Sequence, residues 1–369
     1  MKLVLVGAGH AHLHLLAEAE ALRTAGLEVT LVAPETFHYS GLATGVLSGA
    51  LSEAAARIDV AALAAAHGVA HRATTVTAVD LVARNLRLAA GDDRPFDLVS
   101  FNVGSGVSDP MGLTKAAEVW PVKPLSRLLE LKIRLETVLR AEGRAPSIVV
   151  AGGGQTGFEV AAAMSGLCAR HGQMARVTVV SRDPPRWAPS SALASLARRL
   201  KDRGVNVVDG EVVERSDGLC RLSDGRALEC EMLVLAGGLV APPLIGTLGL
   251  PTDGAGRLYV TPALHTPDEP TVFAAGDCAV VAGAPRPPAG VFGVRAAPVL
   301  KANLVARAQG GRPRPYRPQT RWLSIMDLGD GTGLALRGRL WWRGRTALWV
   351  KRRLDLRFVA AARGLRPGA

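Results

Sequence analysis

The chain opens with an apolar run that breaks on a glycine turn and continues directly into a helical pattern. Residues 3–6 are all apolar, Gly7-Ala8-Gly9 follows at once, and leucines recur near helical spacing from Leu13 onward. Glycines in such a turn let the backbone approach a ligand, and free N–H groups at a helix N-terminus attract negative charge. This order of elements is typical of a site for a dinucleotide pyrophosphate. The G-x-G-x-x-G match is incomplete, because His12 occupies the third glycine position.

The same order of elements returns about 145 residues later. After the apolar run 147–151, Gly152, Gly154 and Gly157 fill all three glycine positions. Two such turns this far apart predict two complete dinucleotide-binding domains rather than one mononucleotide unit. A late apolar run, 271–275, then ends on Gly276-Asp277.

Strand-like and helical patterns alternate along most of the chain, which favours a doubly wound α/β architecture. We predict strands over 27–33, 73–80, 85–88, 96–103, 176–181 and 232–238, and helices over 53–66, 125–141, 191–203 and 294–309. We interpret 120–124 as a linker, 310–318 as a boundary, 334–350 as a hairpin turning at Arg343-Gly344, and 351–362 as a short basic helix.

The net charge of +12 is concentrated at the C-terminal end of the chain. Residues 312–369 contain 14 Arg or Lys against three Asp, and four of the six tryptophans. This composition allows three interpretations: contact with a membrane surface, nucleic-acid binding, or a solvated hairpin packed by its own tryptophans. Membrane contact and the hairpin are the favoured two.

The remaining composition predicts a cytoplasmic protein. No run approaches the ~18 uninterrupted apolar residues of a spanning helix, and Lys2 leads straight into the first strand without a signal peptide. The four cysteines form neither a C-x-x-C pair nor metal-ligand spacing, so we expect small buried thiols. His10, His12 and His14 flank a turn assigned to pyrophosphate, and we expect no metal site there.

Taken together, two glycine turns followed by a late Gly-Asp resemble the FAD-dependent pyridine nucleotide-disulfide oxidoreductase superfamily. Within it, residues 9–12, 39–41, 122–124 and 290–300 resemble the NADH dehydrogenase-like flavoprotein domain that occurs alone or fused to selenide, water dikinase. That branch is similar to type II NADH:quinone dehydrogenases and sulfide:quinone reductases. The resemblance implies two Rossmann-like domains, the NAD(P) domain inserted in the FAD domain, with a small C-terminal α+β segment. The implied parts are FAD-binding 1–120 and 246–312, NAD(P)-binding 121–245, and a basic segment 313–369.

The resemblance also implies which residues hold each nucleotide. For FAD they are Gly7, Gly9, His10, Ala11, His12, Glu35, Val76, Gly104, Lys123, Gly276, Asp277 and Val294. For NAD(P) they are Gly152, Gly154, Gln155, Thr156, Gly157, Glu159, Arg182 and Gly238. Asp277 would accept from ribityl hydroxyls, and a helix from about Val294 would direct its positive end at the pyrimidine side of the flavin. No residue need act as a nucleophile, because hydride chemistry belongs to the cofactor.

Three positions depart from the family pattern. Ala33 replaces the acid expected for the adenosine ribose, and Glu35 either takes that role or is a solvated turn carboxylate. Ser181 replaces the corresponding acid in the second domain. Arg182 beside it either suits the 2′-phosphate of NADPH better than NADH, or is a surface arginine in a domain whose nucleotide binding is weak or lost. Asn102 stands where this branch often carries an acid.

These observations predict an FAD-dependent NAD(P)H dehydrogenase that passes a hydride to flavin and two electrons to a quinone-like acceptor. The absence of C-x-x-C implies that electrons leave the flavin directly. The alternatives are a sulfide:quinone-type oxidoreductase, whose cysteine trio is not evident, and a flavin-binding redox sensor or partner subunit of low turnover. The cytoplasmic membrane face is a candidate partner, and the chain is a candidate homodimer. No specific nucleic acid is expected.

Overall fold

Two five-stranded parallel sheets organise the computed structural model, which describes residues 1–364. The last five residues of the predicted segment 313–369 lie outside the described residues. The N-terminal part contains β1 (Lys2–Val6), α1 (His10–Ala17), α2 (Ala19–Thr24), β2 (Glu28–Val32), β3 (Thr36–His38), α3 (Ser40–Leu47), α4 (Glu53–Ala56), β4 (Arg57–Asp59), α5 (Val60–Ala66), β5 (Ala70–Arg72), β6 (Val76–Asp80), β7 (Asn85–Leu88), β8 (Asp93–Pro95), β9 (Leu98–Phe101) and β10 (Gly106–Val107).

The middle of the chain forms the second sheet and its helices. It contains β11 (Val119–Pro121), α6 (Ser126–Glu142), β12 (Ser147–Ala151), α7 (Gln155–Arg170), β13 (Arg176–Ser181), α8 (Ser190–Lys201), β14 (Val205–Asp209), β15 (Val212–Ser216), β16 (Leu219–Leu222), β17 (Ala227–Glu229) and β18 (Met232–Leu235). The rest contains β19 (Leu239–Val240), α9 (Pro243–Gly246), β20 (Leu258–Val260), β21 (Val272–Ala274), β22 (Ala279–Val281), α10 (Gly290–Gln309), β23 (Ser324–Asp327), β24 (Gly333–Arg337), β25 (Leu340–Gly344) and α11 (Arg345–Ala362).

Four strands of the first sheet precede the second sheet in the sequence, and its fifth strand, β21, follows the second sheet. Its order is β21-β9-β1-β2-β5, whereas the second sheet has the order β11-β18-β12-β13-β14. Both central strands, β1 and β12, are almost entirely buried, as expected for parallel strands with helices on both faces. The predicted α/β class is confirmed, and the boundaries at 120, 245 and 312 stay predictions.

Several predicted elements differ from the structure. The helix predicted over 53–66 is interrupted by β4, because Ile58 is buried and pairs with Phe37 of β3. The linker predicted over 120–124 begins with β11, which pairs with β18 along the second sheet. The helix predicted from Val294 starts at Gly290, one turn earlier.

The C-terminal segment also differs from its prediction. Its hairpin joins β24 to β25 at Gly338-Arg339, whose glycine has φ +62°, and not at Arg343-Gly344. Gly344 instead ends β25 with φ +150°, a conformation that favours glycine, and α11 begins at the next residue. The predicted basic helix 351–362 is therefore the last two-thirds of α11.

This segment is hydrogen-bonded to the chain that follows α8 and to α3. Arg203, which follows α8, donates to the carbonyls of Leu328 and Ala162, at 2.6 and 2.9 Å. On the other side, Lys351 of α11 donates to the carbonyl of Gly41 in α3, at 2.7 Å. The basic segment is thus an integral part of the fold.

Candidate cofactor and active site

A cavity of about 620 Å³ lies where the carboxyl ends of β1, β2 and β9 meet the N-termini of α1 and α10. This edge is where open parallel sheets bind ligands. Of the residues implied for FAD, eight line it: Gly7, Gly9, His10, Val76, Gly104, Lys123, Gly276 and Asp277. Ala11, His12, Glu35 and Val294 do not line it, and Glu35 and Val294 are exposed.

The first glycine turn packs tightly against β9. A Cβ atom on Gly7 would come within 2.7 Å of the Asn102 carbonyl oxygen, and one on Gly9 within 2.5 Å of Asn102 Oδ1. Gly7 also has φ +86°, which side chains disfavour. The two glycines therefore let the turn approach the neighbouring strand and leave space for a ligand on the cavity side.

His12, at the third fingerprint position, is structural. Its buried imidazole lies 2.6 Å from the Gly7 carbonyl oxygen through Nδ1 and 2.9 Å from Ser100 Oγ through Nε2. Burial lowers the pKa of His12 to about 4, so the neutral ring donates from Nδ1 and accepts from the Ser100 hydroxyl. The imidazole joins α1 to both β1 and β9, which explains how a histidine suits this position.

The sequence assigns no role to Asn102, and the structure gives it one. Its Oδ1 accepts from the backbone N–H groups of Ala11 and His12, at 2.9 and 3.2 Å. Its Nδ2 donates to the Ala275 carbonyl oxygen at 2.6 Å. An ionised acid could accept both helix N–H groups but could not donate to Ala275. Asn102 thus ties α1 to the chain immediately before Gly276-Asp277.

A three-residue hydrogen-bonded cluster forms the polar wall of the cavity. Lys123 Nζ lies 2.9 Å from Asp277 Oδ2 and 2.8 Å from Ser105 Oγ, and the Ser105 hydroxyl donates to Asp277 Oδ2 at 3.0 Å. Burial alone would raise the pKa of Asp277, but Lys123 and Ser105 together hold it below its ordinary value. The carboxylate is therefore ionised, and its Oδ1 is left to accept from a ligand hydroxyl.

Aromatic rings surround His10 on the far side of the cavity. Its ring lies 5.6 Å from Phe37, 5.4 Å from Tyr39 and 5.2 Å from Phe358 of α11, measured between centroids. Burial lowers the pKa of His10 to about 4, so its ring is neutral. The Tyr39 hydroxyl donates to Asp355 Oδ1 at 2.9 Å. The C-terminal helix therefore packs behind His10, a residue of the cavity wall, which the sequence did not indicate.

The second glycine turn has the complete fingerprint for a clear reason. A Cβ atom on Gly157 would lie 1.9 Å from the Gly152 carbonyl oxygen, so only glycine allows α7 to start this close to β12. Gly152 has φ +138°, and Gly238, at the end of the neighbouring crossing segment, has φ +37°. Thr156 and Gly154 are exposed beside this turn, where a ligand can reach them.

Other residues implied for NAD(P) already have protein partners. Gln155 Nε2 donates to Ser324 Oγ at 2.5 Å. Glu159 Oε1 accepts from the Thr44 hydroxyl at 3.0 Å and from the backbone N–H of Asp327 at 2.9 Å, and burial raises the pKa of Glu159. These contacts join α7 to α3 and β23, and any nucleotide contact of the two residues stays a prediction.

Arg182 lies at the end of β13 with 74% of its side chain exposed, 3.4 Å from Glu211 Oε1. The Ser181 hydroxyl beside it donates to the Asp183 carbonyl oxygen at 2.6 Å. The Trp187 indole donates to the Gly153 carbonyl oxygen at 3.0 Å, so the loop after β13 is held against the glycine turn. An exposed arginine, paired with Glu211, is thus accessible to a ligand at this end of the second sheet.

The predicted burial of the cysteines is confirmed, since all four are free and buried. Burial raises the pKa of the Cys168 and Cys278 thiols to about 11 and 12. None of the four lines the cavity.

Each helix within residues 1–364 is too short or too polar to span a bilayer. Among the same residues, no group of three or more His, Cys, Asp or Glu side chains is arranged to hold a metal ion.

Comparisons with known proteins find similarity in sequence and in fold. The family model described as pyridine nucleotide-disulphide oxidoreductase matches residues 1–310. An NADH dehydrogenase-like protein of Mycobacterium tuberculosis is 30% identical over 235 residues, which cover 61% of this chain and 59% of that protein. A type II NADH:quinone oxidoreductase of the same organism is 30% identical over 325 residues, covering 77% and 67%. The solved sulfide:quinone oxidoreductase of Aquifex aeolicus superposes with a TM-score of 0.82 at 14% identity, covering 98% and 91%.

Proposed function

Because the chain belongs to the pyridine nucleotide-disulphide oxidoreductase family, we propose that it is an FAD-dependent NAD(P)H dehydrogenase. In this proposal a hydride passes from NAD(P)H to the flavin, and two electrons then pass to a quinone-like acceptor. The observation that carries the proposal is the ionised Asp277, fixed by Lys123 in a cavity between two helix N-termini. FAD would supply the hydride and electron chemistry.

The residues of the cavity fit FAD in three places. The turn 7–9 and the start of α1 suit an anionic pyrophosphate, because the glycines clear the backbone there and the helix dipole favours negative charge. Asp277 Oδ1 suits the ribityl hydroxyls. The N-terminus of α10 lines the cavity with Gly290 and Gly293, and its partial positive charge suits the pyrimidine side of the ring.

NAD(P)H is proposed to bind at the second glycine turn, over residues 152–157 and toward Gly238. Arg182, exposed at the end of β13, would meet a 2′-phosphate, and no acid occupies the adjacent Ser181 position. This arrangement favours NADPH over NADH.

The acceptor is proposed to be a quinone. Cysteine relays in this superfamily need an accessible thiol pair, and the four thiols of this chain are buried away from the cavity. The same observation counts against sulfide as electron donor. A flavin-binding sensor or partner subunit of low turnover is the remaining alternative.

The C-terminal segment is proposed to contact the cytoplasmic membrane face, where a lipid-dissolved acceptor resides. Trp349 and Leu356, two helical turns apart on α11, are 61% and 44% exposed, with the exposed Arg353 between them. Exposed aromatic, apolar and basic side chains on one helix are typical of interfacial membrane binding. A homodimer is a further candidate assembly.

Steady-state turnover tests the proposed activity. The purified chain is assayed with NADH, NADPH or sulfide as donor and a soluble quinone as acceptor, with donor and acceptor each omitted in turn. We expect NAD(P)H-dependent quinone reduction and none with sulfide. Sulfide-dependent turnover would replace the proposal with the sulfide:quinone alternative. A flavin-loaded protein that fails to turn over with NADH, NADPH and sulfide alike would favour the sensor.

A further inference from the structure

We propose that a cleft between α8 and β25 binds a phosphate group, carried by an anionic lipid headgroup or by a small soluble phosphate ester. The cleft has a volume of about 360 Å³ and shares no lining residue with the FAD cavity. Its polar lining consists of Ser191, Ser195, Arg198, Arg199, Asp202 and Arg343. The inference does not depend on the redox activity proposed above.

Contacts between α8 and the C-terminal segment fix the walls of this cleft. The Trp341 indole donates to Ser191 Oγ at 3.0 Å, and the Arg343 guanidinium donates to the Ser195 carbonyl oxygen at 3.2 Å. Arg199 Nε donates to Asp330 Oδ2 at 2.8 Å. Three hydrogen bonds thus join α8 to a segment distant in sequence, and they hold Arg343 in the lining of the cleft.

The charge of the cleft is unbalanced. Arg199 is neutralised by Asp330, but within residues 1–364 neither Arg198 nor Arg343 has a carboxylate at ion-pair distance. Asp202, one turn along from Arg198, is the one acid in the lining. Two guanidinium groups facing a concave site suit an anion with several acceptor oxygens, and the geometry of guanidinium matches phosphate in particular. The hydroxyl of Ser195 adds a donor of the kind that completes such a site.

The surroundings admit two carriers for the phosphate. Leu340 and Trp342, on the same strand as Arg343, are 72% and 37% exposed, which suits the interfacial region next to a lipid headgroup. The volume of the cleft also accommodates a small phosphate ester, since it lies within the range of small-molecule sites.

Binding to two phosphate probes tests the proposal on the full chain. Calorimetric titration with glycerol 3-phosphate reports the soluble carrier, and sedimentation with phosphatidylglycerol–phosphatidylcholine vesicles, against phosphatidylcholine alone, reports the lipid. Arg198→Gln and Arg343→Gln are each expected to weaken binding about tenfold, the loss of one charge-assisted contact. Arg198→Lys and Arg343→Lys keep the charge but lose the paired donors of guanidinium. Their affinities should therefore lie between that of wild type and those of the glutamine variants. Binding of either probe with this pattern supports the site and identifies its carrier.

Arg339→Gln is the matched control, because Arg339 is an exposed arginine of the same hairpin that does not line the cleft. We expect it to change binding less than twofold, an effect of net charge alone. Equal weakening by all three glutamine variants would reduce the effect to general electrostatics and overturn the proposal, as would failure of both probes to bind. Flavin content and NAD(P)H oxidation are expected to be unchanged in these variants, so a failure of the proposed redox function is seen separately.

Discussion

The Lys123 ammonium lies 2.9 Å from the Asp277 carboxylate, although 154 positions separate the two residues. Asp277 follows the last strand of the first sheet, whereas Lys123 follows the first strand of the second sheet. This ion pair therefore joins the two sheets at the cavity, and the Ser105 hydroxyl completes it. A positive charge is thus built into the wall where the flavin is proposed to bind.

Replacing Lys123 is expected to lower the reduction potential of the bound flavin. Reduction adds negative charge to the flavin, and a nearby ammonium stabilises that charge. For Lys123→Met we expect a decrease of tens of millivolts, where about 30 mV corresponds to 1.4 kcal/mol for a two-electron couple. Spectroelectrochemical titration measures the potential. Lys123→Arg, which keeps the charge, should stay near the wild-type value, and equal potentials in all three proteins would remove Lys123 from this role.

His12 should make the folded state less stable as the pH falls. Its pKa is about 4 in the folded chain and 6.5 in an unperturbed histidine. Between these pH values the imidazole is protonated in the unfolded chain and neutral in the folded chain. The contribution is fully present above about pH 6.5 and is lost progressively down to about pH 4, a change of about 3 kcal/mol. Urea unfolding at pH 7.5 and 5.0 should show a smaller pH-dependent loss in His12→Gln than in wild type. An NMR titration that placed the pKa of His12 near 6.5 would contradict the buried, neutral ring.

Arg182→Ala is expected to raise the KM for NADPH about tenfold while leaving the KM for NADH nearly unchanged. The proposed contact is a charge-assisted bond to the 2′-phosphate, which NADH lacks. Arg176→Ala is the matched control, because Arg176 lies at the opposite end of β13 and is likewise exposed and paired with a glutamate. A clear preference of the wild-type protein for NADH would contradict the proposed contact between Arg182 and the 2′-phosphate.

Vesicle binding should depend on the exposed face of α11. The double variant Trp349→Ser/Leu356→Ser removes two exposed apolar side chains, and we expect most co-sedimentation with anionic vesicles to be lost. Ile133→Ser, which removes an exposed apolar residue from α6, is the control and should bind as wild type. If the double variant still sediments fully with vesicles, α11 is not the membrane contact.

The two glycine turns and Gly276-Asp277 could be predicted because each is a local pattern with a direct physical meaning. A strand, a glycine turn and a helix are consecutive in sequence, so the fold class follows from their repetition. The burial of the four cysteines could also be predicted, because their spacing fits neither a C-x-x-C pair nor a metal site. The structure brings the predicted Gly7, Gly9, Lys123 and Asp277 to one cavity.

The roles of Asn102 and His12 could not be predicted, because they depend on which strand lies beside β1. Only the placement of β9 next to β1 brings Ser100 to the His12 ring and the Asn102 amide to the start of α1. Phe358 is a similar case, since nothing in its local sequence indicates that α11 reaches His10. The start of α11 at Arg345 is not evident from sequence, because β25 and the first two turns of α11 both contain tryptophan and apolar residues that fit either periodicity.

Anaerobic titration of the purified chain tests the central claim most directly. We expect a yellow protein whose denatured supernatant contains about one FAD per chain, whose flavin band is bleached by one equivalent of NAD(P)H and restored by a soluble quinone. Asp277→Ala should lower the FAD content, since it removes the carboxylate that Lys123 holds in the cavity. A colourless wild-type protein that does not take up added FAD would contradict the account.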